Sequence, residues 1–287
     1  MFKWNQPVVI LAAIFLFTVL TLSLFGGSSD FSSGGCIASI RVDGFIDYSS
    51  PHGVYETIEL VRQADSDPGV KAILLEVNSG GGSAAATKEL FDALETLEKP
   101  CVAYVEDVAA SGGYYAAASC REIVANPNAL LGSIGARMAL LNYGELYQKI
   151  GLREETIQTG EMKDIGSGTR NMTEEERALL QAIIDEAFQN FKSDLEKARS
   201  GKLSGTYHEV LDGRVLSTRM ALDAGLIDFA GTRDEAEDLA GEMAGLGAAP
   251  EVCVFEPEPT WADYLGVFAS QVTQTVLSLE TKKLRYS

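Results

Sequence analysis

Residues 70–97 read VKAILLEVNSGGGSAAATKELFDALETL, and the order of features in this stretch decides the fold. Val70–Val77 is an almost unbroken apolar run bounded by turn residues, the pattern of a strand covered on both faces. Asn78–Gly82 (NSGGG) reads as a loop, and Ala84–Leu97 then puts Leu90, Phe91, Leu94 and Leu97 on one helical face. The same alternation continues on both sides. Upstream, Ile37–Val42 (IASIRV) predicts a strand and Tyr55–Ala64 an amphipathic helix, ended by Asp65–Gly69 (DSDPG). Downstream, Lys99 and Pro100 stop the helix, Cys101–Glu106 (CVAYVE) predicts a strand, Ala110–Cys120 opens another helix, and Glu122–Ala125 is a short strand. Successive strand–helix units predict an α/β domain around a mostly parallel sheet. Further on, Thr173 and Glu176 have capping-box spacing. They open a helix over Thr173–Phe191 whose apolar face is Leu179, Leu180, Ile183, Ile184, Ala187 and Phe191.

The ends of the chain have a different composition. Val8–Phe25 is 18 residues without a charge, about 27 Å as a helix and enough to cross a bilayer core. Lys3 precedes it and Asp30 is the first charge after it. The expectation is a single-pass anchor in the cell membrane, with residues 1–7 a cytoplasmic tail and all downstream residues extracytoplasmic. A cleaved signal peptide is the competing reading, opposed by the length of the apolar run and the lack of an A-x-A-like site. Residues 26–35 (GGSSDFSSGG) have the composition of a flexible tether. The folded domain is expected over residues 36–240, followed by a strand/helix extension over 241–287. Within that extension, Leu265, Phe268, Val272, Val276 and Leu279 recur at helical spacing.

Composition excludes several classes. With 41 Asp+Glu against 23 Lys+Arg the formal charge is −18, the opposite of a nucleic-acid-binding surface. This acidity reads as a solvated, self-repelling surface. Two histidines, His52 and His208, leave no basis for a His-rich metal site, and no metal or other cofactor is expected. Cys36, Cys101, Cys120 and Cys253 are scattered, without a C-x-x-C pair, and their pairing is not legible.

Two predicted loops leave the C-terminal ends of strands, the edge where open α/β sheets bind ligands: Asn78–Gly82 and Ala109–Gly113. The first lacks the Lys-Ser/Thr ending of a nucleotide loop, so its amides suit an oxyanion or serve a plain turn. The second places Ser111 before Gly112 and Gly113, either as a helix N-cap or as a nucleophile, with amides of Gly81 and Gly112 stabilising the oxyanion. A hydroxyl nucleophile needs a base. His52 and His208 lie in polar turns and support a Ser-His-Asp triad poorly. Lys163, in TGEMKDIGSGTR (159–170), can serve if its pKa falls; Asp164 beside it acts in the opposite direction unless a pleated backbone sends the two side chains to opposite faces.

Together these segments resemble the signal peptide peptidase A family, membrane serine proteases with a Ser/Lys dyad that are related in fold to Clp protease and the crotonases. The likeness is carried by VNSGGG (77–82), ASGGYYAA (110–117), ANPNALLGSIGA (125–136), GEMKDIGS (160–167), MTEEER (172–177), DGRV (212–215), ALDAGLID (221–228) and Gly231. It covers residues 37–235, and Ser111 and Lys163 stand 52 positions apart. The resemblance implies repeated β-β-α units, Ser111 as nucleophile, Lys163 as general base, Ser133 as the serine orienting the lysine, and backbone N–H groups of Gly81 and Gly112 as the oxyanion hole. It further implies homo-oligomers with sites at subunit interfaces, and apolar peptides such as released signal peptides as substrates. Two positions depart from the family pattern: Gly80 stands where a proline is usual, and Thr218 where glycine is frequent. Three other readings are a related protease acting on other membrane-associated proteins, a crotonase-like acyl-CoA enzyme and an inactive scaffold. The intact set of Ser111, Ser133 and Lys163 speaks against the scaffold.

Overall fold

A computed structural model of the 287-residue chain describes residues 34–49 and 53–257. The expected anchor at 8–25, His52 and the helical pattern beyond residue 260 lie outside the described residues. Among the described residues, no helix is long and apolar enough to cross a membrane.

The sheet is assembled in chain order. Strand β1 (Cys36–Ile46) is followed by α1 (Val54–Ser66), β2 (Val70–Gly82), α2 (Ala84–Glu95), β3 (Cys101–Ala110) and α3 (Gly112–Ala118). Next come β4 (Glu122–Ala125), β5 (Leu130–Gly132), α4 (Gly144–Lys149) and the long α5 (Glu174–Ala198). The chain then adds β6 (Val215–Ser217), α6 (Thr218–Asp223), β7 (Phe229–Ala230), α7 (Arg233–Met243) and β8 (Val252–Phe255). The order is β6-β5-β3-β2-β1-β8, parallel throughout except for the β5–β6 pair. The α/β class with a mostly parallel sheet is therefore as the sequence predicts. β8 lies in the stretch read as a C-terminal extension, yet it pairs with β1 in the same sheet.

The sheet forks at β3. Val102–Val105 pair with β4, whereas Val108–Ala110 pair with β5, so the last residues of β3 stand over the split. One face is covered by α1, α2 and α3, whose buried residues (Ile58, Leu90, Phe91, Tyr115) pack with Ile40, Ile73 and Leu75. The other is covered by α7 through Ala236 and Ala240, against Ile37, Leu74 and Val102.

Two expectations change, and the cysteine pairing left open by the sequence is fixed. The strands β1, β2 and β3 run further than the apolar runs suggested, and Asn78–Gly82 is strand rather than loop: Phe45 pairs with Gly81 and Ile46 with Gly82 across a register shift. The glycines are there for close approach, since a Cβ at Gly82 would overlap the Ile46 carbonyl oxygen. Helix α5 has the capping box of Thr173 and Glu176 and ends later, at Ala198. Its anticipated apolar face, however, is not buried along its first half. Leu179 and Ile183 are 45% and 47% exposed, and Phe191 and Leu195 make the core contact. Finally, all four cysteines pair, Cys36 with Cys253 and Cys101 with Cys120. The first bridge fixes β8 to β1 across 217 residues.

At the back of the fold, Arg199 is 1% exposed and makes a two-point contact with Asp228 (2.7 and 3.1 Å). Asp228 also accepts from the Ile123 N–H, and the hydroxyl of Tyr114, in α3, donates to the Leu226 carbonyl. Through these bonds the end of α5, the start of β4 and the helix after Ser111 share one anchor.

Candidate active site

Ser111 is the single residue between β3 and α3, and its backbone is bent into an uncommon region (φ 52°, ψ −121°). Only three described non-glycine residues have positive φ: Ser111, Ser133 (φ 48°) and Ala249. Such conformations cost about 1–3 kcal/mol and persist where surrounding structure enforces them. At Ser111 the enforcement is visible. Its N–H donates to the Gly132 carbonyl (2.8 Å), and its own carbonyl accepts the first helical bond, from Tyr115 (2.9 Å). The N-cap reading of this serine can now be compared with true caps. Ser83 and Ser217 are extended and accept hydrogen bonds from Ala86 and Met220, whereas the Ser111 side chain caps nothing. The backbone holds the hydroxyl out of the capping position.

Both glycines expected to form the oxyanion hole adjoin this serine. A Cβ on Gly81 (φ 97°) would lie 2.7 Å from the Gly112 nitrogen and 2.9 Å from Ser111 Cβ, so β2 and the head of α3 meet there without room for a side chain. Gly112 opens α3, where N–H groups lack helical acceptors. The Gly81 N–H donates to Ser79 Oγ (3.1 Å), which itself donates to the Gly44 carbonyl (2.6 Å). Behind Gly112 the buried Thr87 hydroxyl has no hydrogen-bond partner, and a Cβ on Gly112 would meet it at 2.5 Å. Neither Ser79 nor Thr87 carries a sequence signal, because each matters through a neighbour distant in the chain.

Ser133 follows β5 and is joined to the same corner. Ala110 pairs with Gly132, so Ser111 and Ser133 each stand one residue past a paired position, on adjacent strands. The Ser133 N–H donates to the Arg214 carbonyl (2.8 Å), within the DGRV stretch.

Lys163 is built otherwise. It is exposed in a turn over residues 161–166, its N–H donating to the Gly160 carbonyl (3.3 Å), and its amine makes no hydrogen bond to Ser111 or Ser133. The structure thus brings together Ser111, Gly81, Gly112 and Ser133 through adjacent main chains, and gives the Lys163 amine no bond to any of them. Asp164 is not the lysine's counter-ion. Arg170 grips it through Nε (3.0 Å) and Nη2 (2.7 Å) and also bonds both oxygens of Glu176. Glu176 is 3% exposed and is the capping-box residue of α5, accepting the Thr173 N–H at 2.8 Å. Hydrogen bonds from Arg170 and then from that N–H hold its carboxyl down to about 2, and Arg170 likewise lowers the pKa of Asp164. The role of Arg170 was legible only as charge; the pairing needed coordinates. Beside this turn lies a cleft of about 580 Å³ lined by Ala136, Arg137, Leu140, Gly166, Arg177 and Ile184, among others.

Of the histidines, His208 is exposed against the ring of Tyr207 and makes no side-chain hydrogen bond or ion pair among the described residues.

A parallel α/β sheet whose strand edge presents a strained, uncapped serine beside glycine amides defines the type of site used for acyl transfer. The signature of peptidase family S49 matches residues 93–247. A putative protease of Methanocaldococcus jannaschii is 34% identical over 257 residues, covering 85% of this chain and 82% of that protein. A putative signal peptide peptidase SppA of Enterococcus faecium is 34% identical over 182 residues, 62% of this chain and 52% of that one. Among solved structures, a membrane-bound stomatin-specific protease, 1510-N, matches with a TM-score of 0.44 at 17% identity, over 79% of this chain and all of that one. The chain belongs to peptidase family S49 and is a serine endopeptidase of the signal peptide peptidase A type.

Proposed function

We propose that Ser111 is the nucleophile and Lys163 the general base of a membrane-anchored endopeptidase that cleaves apolar peptides such as released signal peptides. The observation that carries this reading is the strained, uncapped Ser111 packed between Gly81 and Gly112. The neutral amine of Lys163 takes the Ser111 proton as Oγ attacks the scissile carbonyl, and the proton then passes to the leaving amine. Water hydrolyses the acyl-enzyme by the same route. N–H groups of Gly81 and Gly112 stabilise the oxyanion, each worth about 2.7–4 kcal/mol in such sites. The Gly81 N–H exchanges Ser79 Oγ for the substrate oxygen to do so. Ser133 orients the lysine amine.

Assembly completes the site in this reading: the lysine comes from a neighbouring copy of the chain. Support comes from the exposed, unpartnered Lys163 and from apolar residues left uncovered in the described structure. Ile157 is 96% exposed and Leu141 79%, and Leu180 and Ile184 of α5 line one cleft with Leu140 and Leu141. Such surface is far more apolar than a solvated face requires. The anchor at 8–25 places the protease domain outside the cytoplasm, and two disulfides suit that oxidising side. Family membership removes the acyl-CoA reading, whereas a protease acting on other membrane-associated proteins uses the same site and differs in its peptide.

The test mixes full-length Ser111→Ala and Lys163→Ala chains in detergent and follows hydrolysis of an apolar fluorogenic peptide. Each variant alone is expected to be inactive and the mixed oligomer to recover a fraction of wild-type turnover. Absence of recovery in demonstrably mixed oligomers would sink the shared site.

A further inference from the structure

We propose that Arg170 is a positioning residue for Lys163: it ties the lysine's turn to the head of α5 and occupies Asp164, so that the base has no counter-ion at its side. This inference rests on the reading of Lys163 as general base. A lysine serves as a base only in its neutral form, and a carboxylate within about 4–6 Å favours the ammonium instead. The sequence Lys163-Asp164 therefore carries a conflict, and the structure shows how it is resolved.

The turn of Lys163 carries Glu161 and Asp164, the approach to α5 carries Arg170, and α5 supplies Glu176; Arg137 and Arg177 face one adjoining cleft, and Arg153 and Glu154 line another with Asp164 and Arg170. One guanidinium binds both buried or half-buried carboxylates, donating from Nε and Nη2 to Asp164 and from Nη1 and Nη2 to Glu176. The side chains of Asp164 and Glu176 are 17% and 3% exposed, so these are not loose surface pairs. Glu176 is itself fixed by Thr173, and the Arg170 carbonyl accepts from Asn142 Nδ2 (3.2 Å). The turn is thus held to α5 and to the segment before α4. With Asp164 and Glu176 both held by Arg170, Glu154 and Glu161 are exposed to solvent and make no ion pair among the described residues.

The test is the pH profile of kcat/KM for the full-length oligomer, whose rising limb reports deprotonation of the base. Arg170→Met frees Asp164 beside Lys163, and the limb is expected to move up by about one pH unit, a loss of about tenfold below it. Adding Asp164→Asn to that variant should bring the limb back. Asp164→Asn alone should leave it in place, because Arg170 already occupies that carboxylate. A limb unmoved in Arg170→Met, or not restored in the double variant, overturns the proposal. So does a downward shift in Asp164→Asn alone, which would make Asp164 a counter-ion of Lys163 after all. If Arg170→Met turns over too slowly to profile, the pH at which Lys163 becomes reactive to acetic anhydride, read by peptide mass, must show the same upward shift. Activity surviving in Lys163→Ala is a separate result: it removes the lysine as base, whereas an inactive Lys163→Ala with an unmoved Arg170→Met limb removes only the role of Arg170.

Discussion

Ser111 and Lys163 stand on two contrasting kinds of backbone. The serine is held by the ends of β2, β3 and β5, by glycines that permit near contact of main chains, and by a helix whose Tyr114 hydroxyl is bonded to the far side of the domain. The lysine sits in an exposed turn tied down by one arginine and one helix cap, and its amine makes no hydrogen bond or ion pair among the described residues. The difference teaches where each half of the chemistry is prepared. In the proposed reading the nucleophile and oxyanion groups are arranged by folding itself, with the positive φ of Ser111 sustained by the packing around it. In the same reading the base is presented outward, to be completed by assembly.

The largest effect that can break this comparison is at Ser111. Ser111→Ala is expected to lower turnover by at least about 10⁴-fold without loss of fold, as removal of a serine nucleophile does. Ser111→Gly should be equally inactive yet about 1 kcal/mol more stable than Ser111→Ala in urea unfolding, because glycine relieves the positive φ. Equal stability of the two variants would mean that the serine corner is not under strain, and the contrast with the lysine turn would lose its main support.

Next in size is the anchor behind the serine helix. Asp228→Ala leaves the buried Arg199 guanidinium unpaired and is expected to cost about 3–5 kcal/mol. Burial acts to raise the Asp228 pKa, but hydrogen bonds and charge attraction from Arg199, with a bond from Lys202, outweigh it, so the pKa is lowered on folding. A carboxyl with a lowered folded pKa stabilises above its unfolded value, and that contribution is lost as pH falls through the folded one. Wild-type stability should therefore fall on acidification below the usual carboxylate range, and Asp228→Ala should flatten that dependence in thermal unfolding at stepped pH. An unchanged slope would place the acid sensitivity elsewhere, with Glu176 as the next group to examine.

What could be read in advance follows the range of the interactions. The alternation of strand and helix, and the capping box of Thr173 and Glu176, are local patterns, and they appear where the sequence puts them. Ser111 at a strand-to-helix junction was legible for the same reason, while the meeting of Gly81 with it came from the family likeness, which also sharpened the choice between cap and nucleophile. The periodicity of α5 also told truly that one stripe is apolar, but no periodicity states whether a stripe meets a core or a second molecule. The disulfides, the Arg199–Asp228 pair and the occupation of Asp164 by Arg170 depend on which segments meet in space. The residue types alone do not encode that.

The clearest miss, NSGGG read as a loop, leads to the smallest effects and separates two reasons for glycine within three residues. At Gly82 the missing side chain admits the Ile46 carbonyl, so Gly82→Ala must push β1 and β2 apart, at about 1–3 kcal/mol, with displacement of the neighbouring Gly81. At Gly80 a Cβ would meet nothing within 4 Å and φ is not positive. Gly80→Ala should therefore stabilise by about 0.4–1 kcal/mol, through a less flexible unfolded chain, with turnover unchanged. Urea unfolding of the two variants, paired with peptide hydrolysis, measures both. If Gly80→Ala destabilises as much as Gly82→Ala, the stretch behaves as a strained turn after all. If the two differ in sign, the strand edge beside Ser111 is set by close approach of main chains at Gly82, and Gly80 is free to vary.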